Sequence, residues 1–227
     1  MPPVSSQSRK EDSVEELSKV IEYTSVKKTT TVGDVRSLCK QSIINNYRGV
    51  CVNSGFVRFC LEELRSNRDI VIVSTAGFPG GGGSLKAKVY EAIFAAEEGA
   101  KEIDYMINIG FVKDRKDKEL RDEIRSLVRN TKGLAECKVI IEAPLLTSEE
   151  LVRVSTIAAE EGAQYIKTAS GFAGPTTPEM VKLIRKTVGN ACKIKAAGGI
   201  KDLAAVKEMI RAGADTIGTS TLIKFEE

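Results

Sequence analysis

Past its first dozen residues the chain alternates two textures. Charged stretches with apolar positions at helical spacing are separated by short runs of β-branched residues, the pattern of helices covering a parallel sheet. Eight runs read as strands: Ile21–Val26, Gly49–Asn53, Ile70–Ser74, Glu102–Asn108, Lys138–Glu142, Tyr165–Thr168, Lys193–Ala197 and Thr216–Thr219. The intervening segments carry helix punctuation. Thr147 with Glu150 predicts a capping box, and Thr177 before Pro178 places an N-cap ahead of a first-turn proline. Leu151, Val154, Ile157 and Ala158 then form one apolar stripe to bury against a sheet. The echo Gly99-Ala100, Gly162-Ala163 and Gly213-Ala214 closes a helical pattern before a strand each time, and glycine suits a left-handed helix end. Eight strands with this repeat predict an α/β fold, a single (β/α)8 TIM barrel, with an open doubly wound sheet as the alternative. Ser13–Val20 predicts an extra N-terminal helix over the barrel's N-terminal mouth. After the last strand and its Ser220-Thr221 turn only Leu222–Glu227 are left, which predicts a very short eighth helix or a truncated, disordered C-terminus.

Composition narrows the choice. At 227 residues the chain approaches the length of about 250 usual for such barrels. The polar residues 1–12 read as a disordered tail and 13–227 as the barrel domain. Apolar residues make up 42% of the chain, enough for a sizeable core. The 34 basic and 31 acidic side chains leave a net charge of +3, evenly spread, which argues against nucleic acid or an anionic membrane as partner. No run is long enough to cross a bilayer. The five cysteines, Cys39, Cys51, Cys60, Cys137 and Cys192, form no C-x-x-C pair; this argues against a disulfide framework and a zinc site, and points to the cytoplasm. The chain has no histidine. Imidazole metal ligands, a His base and Ser-His or Cys-His dyads are therefore excluded, leaving proton chemistry to Lys, Asp, Glu, Tyr, Cys or water.

Catalytic groups of a barrel sit at the C-terminal strand ends, so charges embedded in strands are the informative ones. Asp104, Lys167 and Lys195 stand out on the fourth, sixth and seventh strands. Each could be a structural ion. Two lysines on adjacent strands near an acid also permit a second reading, because two ammonium groups in one pocket repel and drive one of them to the neutral, nucleophilic amine. Glycines after the last strands are candidates for holding phosphate: Gly171 beside Ser170, Gly198 with Gly199, and Gly218 with Ser220. Gly77-Phe78-Pro79 and the following Gly80–Gly83 lack P-loop or Rossmann context and read as a flexible rim loop. Cys51 reads as a small packed hydrophobe rather than a pocket residue.

Ordered strings along most of the chain resemble the deoxyribose-phosphate aldolase family. They are Val50-Cys51-Val52-Asn53, Gly77-Phe78-Pro79, Glu102-Ile103-Asp104 with Ile107-Asn108-Ile109-Gly110, Val139-Ile140-Ile141-Glu142, Lys167-Thr168 with Gly171-Phe172, Lys195-Ala196 with Gly198-Gly199-Ile200, and Ile217-Gly218-Thr219-Ser220. The resemblance implies reversible cleavage of 2-deoxy-D-ribose 5-phosphate to D-glyceraldehyde 3-phosphate and acetaldehyde, without metal or cofactor. It implies that Lys167 forms the Schiff base, Lys195 tunes it, and Asp104 serves proton transfer through water. The chain departs from the family at Glu22-Tyr23, where an Asp-His pair is usual, and at Ala143-Pro144 and Ala169-Ser170. Other readings are a different sugar-phosphate aldolase or transaldolase, or a barrel without turnover that binds protein. A homodimer is compatible with all of them.

Overall fold

The computed structural model describes residues 14–225; the tail expected over 1–12 and the first residue of the expected helix, Ser13, lie outside them. Eight strands form one closed barrel, each hydrogen-bonded to the next and β1 to β8, all parallel. In chain order the elements are α1 (Val14–Ser18), β1 (Ile21–Ser25), α2 (Val32–Ile44), β2 (Gly49–Asn53), α3 (Val57–Glu63), β3 (Val71–Ala76), α4 (Leu85–Glu97), β4 (Glu102–Met106), α5 (Ile109–Lys113), α6 (Asp117–Thr131), β5 (Glu136–Ile140), α7 (Ser148–Glu160), β6 (Tyr165–Lys167), α8 (Pro178–Val188), β7 (Lys193–Ala197), α9 (Leu203–Ala212) and β8 (Thr216–Thr219). The open doubly wound alternative is thereby excluded.

The strands sort their side chains by alternation. Ile103 and Tyr105 of β4, Cys137 and Val139 of β5, and Ile194 and Ala196 of β7 belong to the continuous core between sheet and helices. Their neighbours Asp104, Lys138 and Lys195 are equally buried but point the other way, into the barrel, because successive strand residues face opposite sides. Burial outside is thus apolar and burial inside is charged.

The helix punctuation holds. Thr147 Oγ1 accepts from Glu150 N at 3.2 Å while Glu150 Oε2 accepts from Thr147 N at 2.8 Å, and Leu151, Val154, Ile157 and Ala158 are all buried. Thr177 caps α8 ahead of Pro178. Gly99, Gly162 and Gly213 take positive φ. Three details differ from expectation. Strand β5 ends at Ile140 rather than Glu142, because Glu142 turns into the left-handed region with φ of 50° and starts a short turn at Ala143–Leu145. The fourth strand stops at Met106, and Asn108 instead caps α5 through Gly110 N at 2.9 Å. After β8 the described residues form no eighth helix; Ile223 is buried, and its carbonyl accepts from Tyr47 Oη at 2.8 Å. At the start of the chain, Leu17 of α1 joins the core.

Candidate active site

Lys167 and Lys195 are register partners on β6 and β7. Both point into the barrel and both reach the same oxygen, Asp104 Oδ2, at 2.7 Å. Cys51 Sγ donates to that oxygen at 3.4 Å, so this thiol belongs to the barrel interior and its polar network, not to the apolar packing expected of it. Burial and the neighbouring Asp104 carboxylate push the Cys51 thiol up to about 12, which keeps it protonated. Asp104 Oδ1 makes no hydrogen bond to the described residues although it is fully buried.

Below this trio lies a second set of charges that the strand-end rule did not single out. Glu22, one residue into β1, pairs with Lys195 and, through its other oxygen, with Lys138. Lys138 also pairs with Glu102, and Arg48 bridges Glu22 at 2.6 Å and Glu102. The result is an alternating chain down the barrel: Lys167, Asp104, Lys195, Glu22, Lys138, Glu102, Arg48. Arg48, at the N-terminal mouth, keeps 19% of its side chain exposed, while the side chains of Glu22, Lys138 and Lys195 are fully buried.

The chain fixes the charge states within it. Burial raises the Glu22 carboxyl, but Lys138 and Lys195 outweigh burial and hold it down at about 2. Burial likewise works against ionising Asp104, and Lys167, Lys195 and Lys138 overcome it, holding this carboxyl well below the usual range. For Lys195 burial disfavours the ammonium, yet Asp104 and Glu22 win and keep it protonated far into alkaline pH. Four cations face three carboxylates along the chain, and a surplus buried charge is costly. Arg48, Lys138 and Lys195 each touch two carboxylates, whereas Lys167 touches only Asp104, which it shares. Lys167 is therefore the cation of this chain with the fewest carboxylate contacts.

Lys167 also forms part of the lining of a cavity of about 280 Å³ at the C-terminal ends of the strands. Gly171, Gly198, Gly199, Gly218 and Ser220 line the same cavity, so the candidates after β6, β7 and β8 meet Lys167 in one place. Asp104 and Lys195 are not in the lining; they lie beneath it. The cavity adds Lys27 and Lys201, two cations at the rim that the sequence reading passed over. Both follow a strand end, β1 and β7, where a wider application of the strand-end rule would have found them.

Comparison with known proteins gives the family. A deoxyribose-phosphate aldolase of Geobacillus sp. (strain WCH70) is 41% identical over 212 residues, 93% of this chain and 95% of that protein. One from Thermotoga maritima is 39% identical over 218 residues, 96% of this chain and 87% of the relative. The chain belongs to the deoxyribose-phosphate aldolase family. No family model matches it. Among solved structures, an aldolase named QR15 superposes with a TM-score of 0.87 at 34% identity over 91% of this chain and 92% of that one. The tetrameric deoxyribose phosphate aldolase of Aeropyrum pernix gives 0.85 at 27% identity, over 92% and 89%.

Two further features of this family member concern the surroundings of Lys167 and Lys195. Phe78 places its ring centroid 5.6 Å from Lys167 Nζ and packs edge-on against Phe172, centroids 5.7 Å apart. The loop that carries Phe78 was expected to be flexible, but it is tied down. Gly77 N donates to Glu91 Oε2 at 2.9 Å, and Lys88 Nζ, itself buried, donates to Gly81 O at 2.6 Å and Met106 O at 3.1 Å while pairing with Glu123. Glu123 in turn accepts from Tyr105 Oη and Asn108 N, each at 3.1 Å. The second feature is Gly218. A Cβ there would lie 2.9 Å from Lys195 Cε and 3.1 Å from Ala197 Cβ, so its missing side chain makes room for Lys195 as well as opening the cavity.

Proposed function

We propose that this chain cleaves 2-deoxy-D-ribose 5-phosphate reversibly into D-glyceraldehyde 3-phosphate and acetaldehyde through a Schiff base on Lys167. The supporting observation is an amine in the cavity wall whose single carboxylate partner is shared with a second, firmly protonated lysine. Neutral Lys167 attacks the aldehyde carbon of the open-chain sugar, and loss of water gives an iminium. The C3 hydroxyl gives up its proton, the C2–C3 bond breaks, and its electron pair flows into the iminium to form an enamine. Protonation of the enamine at C2 and hydrolysis release acetaldehyde and regenerate the amine.

Asp104 Oδ1, unpaired among the described residues, is the acceptor we assign to that hydroxyl proton, through water. A carboxylate held so low acts as a relay that passes the proton on, not as a store for it. The charged Lys195 beside it shares the one carboxylate that Lys167 contacts. Phe78 and Phe172 wall the reacting end. Gly171, Gly198, Gly199, Gly218 and Ser220 offer backbone and hydroxyl donors to the phosphate, with Lys27 and Lys201 supplying charge, and so fix the reacting carbons over Lys167. Five buried, unpaired cysteines suit a reducing compartment such as the cytoplasm.

Borohydride added during turnover should inactivate the enzyme and leave one reduced two-carbon group on the peptide containing Lys167, read by mass spectrometry. An adduct confined to Lys195 or Lys193, or full activity in Lys167→Arg, would overturn the assignment. Release of acetaldehyde separates this reaction from those of other sugar-phosphate aldolases and transaldolases, and its absence would favour a barrel without turnover.

A further inference from the structure

The alternating ion chain extends well beyond the groups that the chemistry needs. Glu22 and Lys138 are fully buried and do not line the cavity, so they touch neither substrate nor solvent. Yet they are joined to Lys167 through Lys195 and Asp104, each link an ion pair.

We propose that Glu22 and Lys138 are positioning residues that set the protonation state of Lys167 through the net charge of the buried chain, and thereby place the acid limb of the pH–rate profile. This rests on Lys167 being the nucleophile. The whole interior bears on the argument. Facing inward are Glu22 from β1, Cys51 from β2, Glu102 and Asp104 from β4, Lys138 from β5, Tyr165 and Lys167 from β6, and Lys195 from β7; Arg48 and Lys193 sit at the N-terminal mouth. Strands β3 and β8 supply no charged side chain to the interior, their polar ones there being Thr75 and Thr216. On the cavity side Lys27 and Lys201 are at the rim, and Glu142 is occupied by Ser170 N at 2.9 Å. Within this shell the seven linked charges carry one surplus positive charge when all are ionised, and Lys167 is the end member that can shed it.

The direction of each change follows from charge count. Glu22→Gln removes a carboxylate, the surplus grows, and Lys167 releases its proton at lower pH, so the acid limb of kcat/KM moves to lower pH. Lys138→Met removes a cation, the chain becomes balanced with Lys167 protonated, and the limb moves to higher pH. The double variant E22Q/K138M restores the surplus of one and should return the limb to its wild-type position. A unit charge acting over roughly 10 Å at an effective dielectric of about 20 corresponds to a shift of about one pH unit.

The experiment is the pH dependence of kcat/KM for the full chain and these three variants, with borohydride trapping of the wild type alongside. Opposite shifts of about one unit in the single variants and cancellation in the double variant support the proposal. General damage to packing lowers rates without shifting the limb in opposite directions. Limbs that stay put, or move the same way in both single variants, overturn it. If neither single variant folds, Arg48→Gln at the solvent-touched end decides: a smaller shift to higher pH supports the proposal, and an unmoved limb overturns it. Failure to trap Lys167 in the wild type would instead remove the functional reading itself, so the two failures are told apart.

Discussion

Gly218→Ala tests whether the glycine of β8 serves the phosphate or the lysine beside it. The added methyl would sit 2.9 Å from Lys195 Cε and 3.1 Å from Ala197 Cβ, well inside the 3.5–4.0 Å at which carbon atoms pack. Ala197 is anchored on β7, through its backbone N–H to Thr168 Oγ1 at 3.0 Å, so the yielding group is the Lys195 side chain. Moving it by about 1 Å stretches the 2.7 Å contact with Asp104 and weakens the charge set around Lys167. Overpacking of this kind costs about 1–3 kcal/mol, and each 1.36 kcal/mol lost from transition-state stabilisation is tenfold in rate. The expected result is a fall in kcat of about 10- to 100-fold. The assay compares 2-deoxyribose 5-phosphate with unphosphorylated 2-deoxyribose. Crowding of Lys195 lowers kcat on both substrates by a similar factor, since the amine chemistry is common to them. A loss seen only with the phosphorylated substrate, as a raised KM at unchanged kcat, would refute the reasoning and leave Gly218 as a phosphate contact alone.

Two further predictions concern parts outside the barrel interior and the chemistry as a whole. Lys88→Met strands Glu123 as a buried carboxylate without its cation, which should cost about 3–5 kcal/mol and lower Tm by about 10 °C; scanning calorimetry checks this, and a Tm within 2 °C of wild type would show that the knot under the Phe78 loop carries little stability. With no histidine in the chain and no cluster of three or more potential metal ligands among the described residues, activity should survive exhaustive treatment with EDTA. Loss on chelation and recovery with zinc would sink the lysine mechanism.

Periodicity alone was enough to place the eight strands and the caps of α7 and α8, because each depends on residues a few positions apart. Thr147 and Glu150 close their cap within one turn, and alternation along a strand decides which side chains face inward whatever the neighbouring strands do. The three charged strand residues were legible for the same reason: a lysine or aspartate inside a β-branched run is conspicuous in one dimension. What the sequence could not show is which charges meet. Asp104 and Lys195 lie 91 positions apart and Lys138 and Glu22 lie 116 apart; only barrel closure and its register bring them within ion-pair distance, so Lys138 and Arg48 entered the site through tertiary structure, and Glu22, marked in the sequence only as a departure from the family, found its partners there. Closure likewise revealed that Cys51 faces Asp104, that Gly218 yields space to Lys195, and that a glycine-rich loop expected to be loose is pinned by Lys88 and Glu123. Local spacing determines elements, whereas the number of carboxylates around a given ammonium is a sum over strands distant in sequence, and that sum distinguishes Lys167 from the other lysines in the barrel.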